Sequence, residues 1–192
     1  MTIEYEATFP NIDKTEFRDR LIKVEAKLLR SEFLQKRKVF HLPSGHEIPG
    51  GWIRLRDEVD KITMGLKVID GTNITNQKEI FFNVNDFEKA AEFLISIGCV
   101  EKGFQESKRE LWALKEAEIT IDEWPFLEPF CEIEGASEET VKEIASILGF
   151  DYSRAKFCSI DVLYSEKYGF STDVINSHTP RLLFDMKNPF IK

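Results

Sequence analysis

The chain has 192 residues and contains 16 phenylalanines, and 42% of its residues are hydrophobic. This length and composition predict one folded domain with a sizeable core and exclude a disordered chain. The formal net charge of −8 argues against non-specific nucleic-acid binding, which needs a basic excess, but leaves phosphorylated small molecules open because local charge clusters decide their binding.

The three cysteines, Cys99, Cys131 and Cys158, lie far apart in the sequence. An odd and scattered set predicts a reduced, cytoplasmic chain, and it does not fit a disulfide framework or a zinc site. The N-terminus has no basic segment followed by an apolar one, and no apolar run approaches about 18 residues. We therefore expect neither a secretion signal nor a membrane partner.

In the first half of the chain, alternating apolar and polar residues predict strands, and one apolar stripe predicts a helix. In chain order these are a strand at 2–9, a helix from Asn11 or Asp13 to about Leu29, a strand at 33–42, a hairpin of 52–58 with 61–69, and a strand at 77–84. Pro10 ends the first of these strands, and a turn-rich stretch follows the second.

The second half continues with a helix capped by Asp86 and a hairpin of 104–114 with 117–122. A strand at 129–134 and a helix that starts at Ser137 follow. The segment after Tyr152 has no clear period and receives no assignment. About eight short strands with helices outside predict an antiparallel α+β domain, and eight strands can close a barrel around a small ligand.

Two Glu-x-Glu tripeptides lie on predicted strands, Glu4-Tyr5-Glu6 and Glu132-Ile133-Glu134. Period two sends both carboxylates of each pair to one face. One such pair on an exposed strand is ordinary, but two of them favour a shared acidic site for Mg²⁺ or Mn²⁺. Asp122, at the end of a strand, either joins that site or forms a turn.

Arg54 and Arg56 share a strand face in the same way, and Lys67 lies on the polar face of the next strand. Guanidinium groups match phosphate oxygens, so paired arginines indicate an anion site, although cross-strand pairing with carboxylates is about as good an explanation. The basic run at 36–38 is most simply a solvated strand end. Serine-nucleophile, phosphate-loop and dinucleotide motifs do not occur, and the three histidines lack metal-ligand spacing.

In their order along the chain, these residues resemble the CYTH family, the triphosphate tunnel metalloenzymes. That family includes class IV adenylyl cyclases, thiamine triphosphatases and inorganic triphosphatases. The resemblance covers roughly residues 2–160 and lies in the ordered set Glu4-x-Glu6, Arg54-x-Arg56, Lys67, Arg109, Asp122 and Glu132-x-Glu134. It implies an eight-stranded antiparallel tunnel in which basic side chains hold a triphosphate and acidic ones bind divalent metal. Lys36 falls where the family often has a basic residue, and Glu79 where it often has an inward carboxylate.

Three positions depart from the family pattern, and each replaces an expected cation. Thr8 stands at the lysine position of the family's opening Glu-x-Glu-x-Lys motif. Ser107 and Gln77 stand where basic residues are common in the family. We therefore expect a weaker positive lining, for which Lys156 is a candidate to compensate. Strand parity points three further lysines outward: Lys38, Lys78 and Lys108.

The hypothesis from the sequence is divalent-metal-dependent hydrolysis of a phosphoanhydride in a triphosphate-containing small molecule. The predicted phosphate ligands are Lys36, Arg54, Arg56, Lys67, Arg109 and Lys156. The predicted metal ligands are Glu4, Glu6, Glu132 and Glu134, and the predicted catalytic residues are Glu4, Glu6 and Asp122. Synthesis of cyclic AMP from ATP ranks second, and a non-catalytic polyphosphate- or nucleotide-binding module stays open. We predict a tunnel domain at 1–160 with a tail at 161–192 packed on it, and we leave a homodimer open.

Overall fold

A computed structural model describes residues 1–191 of the protein. Ten strands form one sheet among these residues: β1 (Thr2–Ile3), β2 (Tyr5–Phe9), β3 (Lys27–His41), β4 (Gly51–Asp57), β5 (Ile62–Ile69), β6 (Gln77–Val84), β7 (Val100–Leu114), β8 (Ala117–Glu123), β9 (Phe130–Gly135) and β10 (Arg181–Leu182). The helices are α1 (Lys14–Lys23), α2 (Phe87–Ser96), α3 (Glu138–Ile147), α4 (Ile160–Tyr168) and α5 (Thr172–Ser177). None of the helices in residues 1–191 has the length and apolar composition needed to cross a membrane.

The sheet curls into a nearly closed antiparallel barrel. Its strand order is β1-β6-β5-β4-β3-β7-β8-β9-β2, and β10 adds a parallel pair to β7. The two ends of this path, β1 and β2, are separated only by Glu4, so the first segment of the chain brings β6 and β9 together. The predicted α+β barrel is confirmed, but the predicted count of eight strands is wrong. The first predicted strand divides at Glu4 and changes partner there, and the unassigned tail contributes β10.

The seam of the barrel lies between β1 and β6. Only Thr2 and Ile3 pair with β6, opposite Glu79 and Lys78, and the Glu4 amide donates to the Gln77 carbonyl at 3.0 Å. The rest of β6, from Ile80 onward, pairs with β5 alone. The seam therefore stays open along that part of β6.

Helices cover the outer face of the barrel. The apolar sides of α1 and α3 pack on β2, β7, β8 and β9 around buried residues such as Phe17, Ile133 and Ile144. In a smaller cluster α2 covers β3 and β4. Helices α1, α2 and α3 begin at predicted caps. The side chains of Asp13, Asp86 and Ser137 accept hydrogen bonds from amides of the first turn. Since the apolar residues of these strands face the helices, alternation leaves the polar ones facing inward.

The first helix is shorter than predicted. It ends at Lys23 instead of continuing to Leu29, because Glu25 takes a left-handed φ of 60° and the Ala26 amide bonds the Leu21 carbonyl. The following residues form the start of β3, which is 15 residues long and pairs with β7 through several register shifts. Such irregularities bend a sheet, so they help it to close.

The segment after Tyr152 packs against one end of the barrel. Leu163, Tyr164 and Phe190 form a buried cluster with Trp124 and Phe130. Residues of α4 and α5 line the cavity at that end. The tail therefore borders one mouth of the barrel, and the division of the chain at residue 160 stays a prediction.

Candidate active site

The inner face of the barrel encloses a cavity of about 1080 Å³. That volume is at the upper end of the range for small-molecule sites. Eight of the residues predicted to form the site line this cavity: Glu4, Glu6, Arg54, Arg56, Lys67, Arg109, Glu132 and Glu134. The structure thus brings together side chains that are more than 120 positions apart in the sequence.

Three carboxylates of this set form the acidic group, Glu4, Glu6 and Glu134. Glu6 lies opposite Glu134 in the β2–β9 register, and one carboxylate oxygen from each of the three lies within 4.8 Å of the others. Burial, and then repulsion by Glu6, raises the pKa of Glu4 to about 8 and that of Glu134 to about 7. Crowded carboxylates of this kind are unfavourable as ions unless a cation joins them.

Lys67 supplies part of that positive charge. Its Nζ lies 2.7 Å from Glu4 Oε2 and 3.3 Å from Glu6 Oε1. Burial opposes the charge on Lys67, but the two carboxylates outweigh burial and raise its pKa. No ion pair to Glu134 occurs within residues 1–191, so no basic side chain there contacts this carboxylate directly.

Three arginines form a second cluster, the arginine group, which consists of Arg37, Arg54 and Arg56. Arg37 and Arg56 are directly opposite each other on β3 and β4. Arg54 contacts Glu79 and Arg56 contacts Glu58, each at 2.7 Å. Burial, and then the like charges of Arg54 and Arg109, lower the pKa of Arg56 to about 10. The cluster therefore carries more positive charge than its neighbours neutralise.

Arg37 has the most unusual environment in the arginine group. Its guanidinium donates to Gln35 Oε1 at 2.8 Å and to Ser107 Oγ, and it stacks over the Trp124 ring with its carbon 4.3 Å from the centroid. Only 6% of the residue is exposed, and no carboxylate forms an ion pair with it in the described part of the chain. Burial and the neighbouring arginines lower its pKa well below the ordinary value. A buried guanidinium held by neutral groups is a strong candidate for binding an anion.

Arg109 organises a separate network. Its guanidinium binds Asp122 through two hydrogen bonds of 2.8 and 2.9 Å and Glu132 through one of 2.6 Å. Thr120 donates a further hydrogen bond to Asp122, which is fully buried. The structure therefore places Asp122 and Glu132 with Arg109, and neither belongs to the three carboxylates that lie within metal-binding reach of one another. The predicted roles of Glu132 as a metal ligand and of Asp122 as a catalytic residue stay predictions.

A family model for the CYTH domain matches residues 3–161. The chain belongs to the CYTH family. The match contains Ile3 of β1 and all of β2 to β9, so the tail beyond residue 161 lies outside the part that defines the family.

Solved structures with the same fold are distant in sequence. A conserved hypothetical protein from Pyrococcus furiosus has a TM-score of 0.70 and 22% identity, with 83% of this chain and 99% of that chain covered. A protein from Vibrio parahaemolyticus that is proposed to be an adenylate cyclase has a TM-score of 0.73 and 13% identity, with 85% and 98% covered. A proposed adenylyl cyclase from Hippeastrum, described as having a dominant triphosphatase activity, has a TM-score of 0.57 and 13% identity, with 88% and 97% covered. Among curated proteins, none matches this chain in sequence.

Two of the lysines predicted to bind phosphate in this CYTH domain lie outside the cavity. Lys36 is exposed on the outer face of β3. Lys156 pairs with Thr8 through its backbone, and its side chain binds Glu166 at 2.6 Å. These two predicted placements are corrected, because alternation along β3 turns Arg37 inward in place of Lys36. The sequence contained a signal for this, since a run of three basic residues on a strand must send the middle one to the opposite face from the other two.

Two of the positions that depart from the CYTH pattern make buried hydrogen bonds. Ser107 is fully buried beside Arg37 and accepts a hydrogen bond from its guanidinium. A cation from β3 therefore occupies the region where β7 lacks one. Gln77 is also buried, and its side-chain amide donates to the Glu6 carbonyl at 2.7 Å across the seam. Gln77 therefore lacks the positive charge that is common in the family at this position, but its hydrogen bond helps to close the barrel beside the acidic group.

Proposed function

We propose that the protein hydrolyses a phosphoanhydride bond of a triphosphate-containing small molecule with the help of a divalent metal. The observation that carries this proposal is the environment of Arg37, a buried guanidinium without a carboxylate partner among residues 1–191, beside two more arginines in the same cavity as the acidic group. Such a cavity presents one wall that favours an anion and another that favours a cation. A polyphosphate with its counter-cation satisfies both.

The donor set fits a divalent metal. Glu4, Glu6 and Glu134 offer three hard carboxylate oxygens within 4.8 Å of one another, and their raised pKa values reflect repulsion that a cation would relieve. We propose these three as the residues that hold Mg²⁺ or Mn²⁺. A bound cation of this kind would neutralise phosphate charge and lower the pKa of a coordinated water.

The arginine group would bind and orient the phosphates. Guanidinium groups on β3 and β4 can each donate two hydrogen bonds to phosphate oxygens, and burial strengthens these contacts. Gln35, Ser107 and Trp124 hold Arg37 in position, so its side chain loses little conformational entropy when a phosphate binds. Arg54 and Arg56 would exchange part of their contact with Glu79 and Glu58 for the substrate.

In the reaction, water attacks the terminal phosphorus and the bond from this phosphorus to the bridging oxygen breaks. The leaving diphosphate group keeps the electron pair of that bond, and a carboxylate accepts the proton of the water. Glu134 suits this role, because no lysine or arginine pairs with it in residues 1–191, and its second carboxylate oxygen would remain to accept the proton when the first holds the metal. The arginines would stabilise the charge that spreads over the transferred phosphoryl oxygens.

The distant relatives are consistent with this class of substrate. The Hippeastrum protein that shares the fold is described as having a dominant triphosphatase activity, and the Vibrio parahaemolyticus protein is proposed to be an adenylate cyclase. Both descriptions concern a triphosphate. We rank hydrolysis first because water needs no binding site of its own, whereas cyclisation also requires a bound and oriented ribose.

The test is a product assay with tripolyphosphate, ATP and thiamine triphosphate, each with Mg²⁺ or Mn²⁺. Release of inorganic phosphate from one of them is the expected result. Cyclic AMP with pyrophosphate from ATP would replace the proposal by a cyclase. Saturable binding of all three without any product would replace it by a binding module, and absence of both binding and products would overturn the assignment of the cavity.

A further inference from the structure

One strand of the barrel has a long unpaired edge. β6 pairs with β5 along its whole length, whereas β1 pairs with it only at Lys78 and Glu79. Within residues 1–191 the segment from Ile80 to Val84 therefore has main-chain groups on one side without a strand partner. These groups are bound to water or to another strand.

The side chains of this segment are apolar and exposed. Ile80, Phe81 and Phe82 are 52%, 61% and 54% exposed, and neither charge nor proline occurs between Ile80 and Val84. Sheet edges in soluble proteins are usually protected by lysine, proline, bulges or a covering segment. The absence of these protective features in an exposed aromatic strand is typical of a surface that pairs with another strand.

We propose that this edge binds the same edge of a second copy of the chain, antiparallel, about a two-fold axis at Phe82. The hydrogen-bond parity supports this register. The Glu4 amide donates to the Gln77 carbonyl, so odd-numbered residues of β6 direct their main-chain groups towards the free side. Along the unpaired segment these residues are Phe81 and Asn83. An axis at Phe82 places Phe81 of each copy opposite Asn83 of the other, which satisfies these groups through main-chain hydrogen bonds.

The same register matches the side chains. Phe82 meets its own copy at the axis as a non-hydrogen-bonded pair, where side chains approach most closely, and Ile80 meets Val84. No like charges oppose each other along the pairing. A second copy is therefore chemically complementary to this edge, as a two-fold interface requires.

Four main-chain hydrogen bonds and a short apolar strip are less than a standard interface, so we expect a reversible dimer that dissociates on dilution. Sedimentation of the full chain over a range of concentrations tests this. Phe82→Lys places two ammonium groups on the axis and should weaken dimerisation at least about tenfold. Phe93→Lys is the matched control, because Phe93 is 56% exposed on α2, away from the edge, and should leave dimerisation unchanged.

A cysteine variant tests the register. Phe82→Cys places two thiols across a non-hydrogen-bonded pair, whose Cα separation of about 4.5 Å permits a disulfide. Under mild oxidation it should form a cross-linked dimer much faster than Phe93→Cys does. A native chain that stays monomeric, a dimer that Phe82→Lys leaves intact, or equal cross-linking of the two cysteine variants would each overturn the proposal. These outcomes are independent of the product assay, so the edge and the proposed activity succeed or fail separately.

Discussion

The acidic group and the arginine group line one cavity from different strands and solve the same electrostatic problem differently. The carboxylates of Glu4 and Glu134 are stabilised in part by taking up protons, since their pKa values rise to about 8 and about 7. Arginines cannot readily give up their proton, so Arg37 remains charged and is held by neutral acceptors and an aromatic ring. The acidic wall is therefore adjustable by pH, whereas the arginine wall is a permanent anion site.

The Arg109 network shows a third arrangement of charge in the same barrel. Asp122 and Glu132 pair with Arg109 at hydrogen-bond distance, and Thr120 completes the shell of Asp122. One guanidinium faces two carboxylates, and burial with repulsion by Glu6 and Asp122 raises the pKa of Glu132 well above its ordinary value. Arg109 is thus paired with carboxylates inside the protein, whereas Arg37 has no such partner in residues 1–191, and four predictions test what the three groups do.

The largest effect is expected from the arginine wall. Arg54→Ala should lower turnover of the best triphosphate substrate by about 10³-fold or more, because arginine contacts to a transferred phosphoryl group contribute on that scale. Phosphate release measures it, and circular dichroism establishes that the variant is folded. Lys36→Ala is the matched control, since Lys36 lies on the outer face of the neighbouring strand, and it should change turnover little. Equal activity of the two variants would remove Arg54 from the mechanism.

The next effect concerns the Arg109 network and is one of stability. Arg109→Ala leaves the fully buried Asp122 without its partner and should lower the free energy of unfolding by about 3 kcal/mol or more. Urea denaturation measures the change. Adding Asp122→Asn to that variant should recover part of the loss. If the double variant is less stable than the single one, the loss does not come from an unpaired carboxylate.

Metal affinity tests the acidic wall. Glu134→Gln should weaken Mn²⁺ binding by roughly 10- to 100-fold and lower turnover, because it removes one of three oxygen donors and its charge. Isothermal titration calorimetry measures the affinity. Glu143→Gln removes a carboxylate of the same kind from the exposed side of α3 and serves as the control. Unaltered affinity in Glu134→Gln would exclude Glu134 as a ligand.

The smallest effect is the pH dependence of the metal-free protein. The pKa of Glu4 is raised from 4.5 to about 8, so between these values the folded chain binds more protons than the unfolded chain does. Stability therefore falls as pH rises through this window, by at most about 1.4 kcal/mol per pH unit for one group, or a few degrees in Tm. Thermal melts from pH 6 to 8.5 measure it. Glu4→Gln should flatten the trend, and saturating Mg²⁺ should oppose it; a slope that is the same in the variant would assign the effect to other groups.

Several features of the barrel could be predicted from local pattern alone. Alternation placed Glu4 with Glu6 and Arg54 with Arg56, and each pair does line the cavity. The caps at Asp13, Asp86 and Ser137 were equally visible, since a cap involves only the first turn of its helix. The end of α1 was not, because pairing of β3 with β7 over the whole strand outweighs helical spacing in the sequence.

The sequence by itself determined which residues share a face, because side-chain direction along a strand has a period of two. Only the tertiary structure decided which face turns inward at Lys36 and Arg37, and which opposite charges pair. Asp122 and Glu132 lie with Arg109, and Gln77 crosses the seam to the Glu6 carbonyl. These outcomes depend on curvature and register, which bring distant strands together, and no local pattern contains the distances between them.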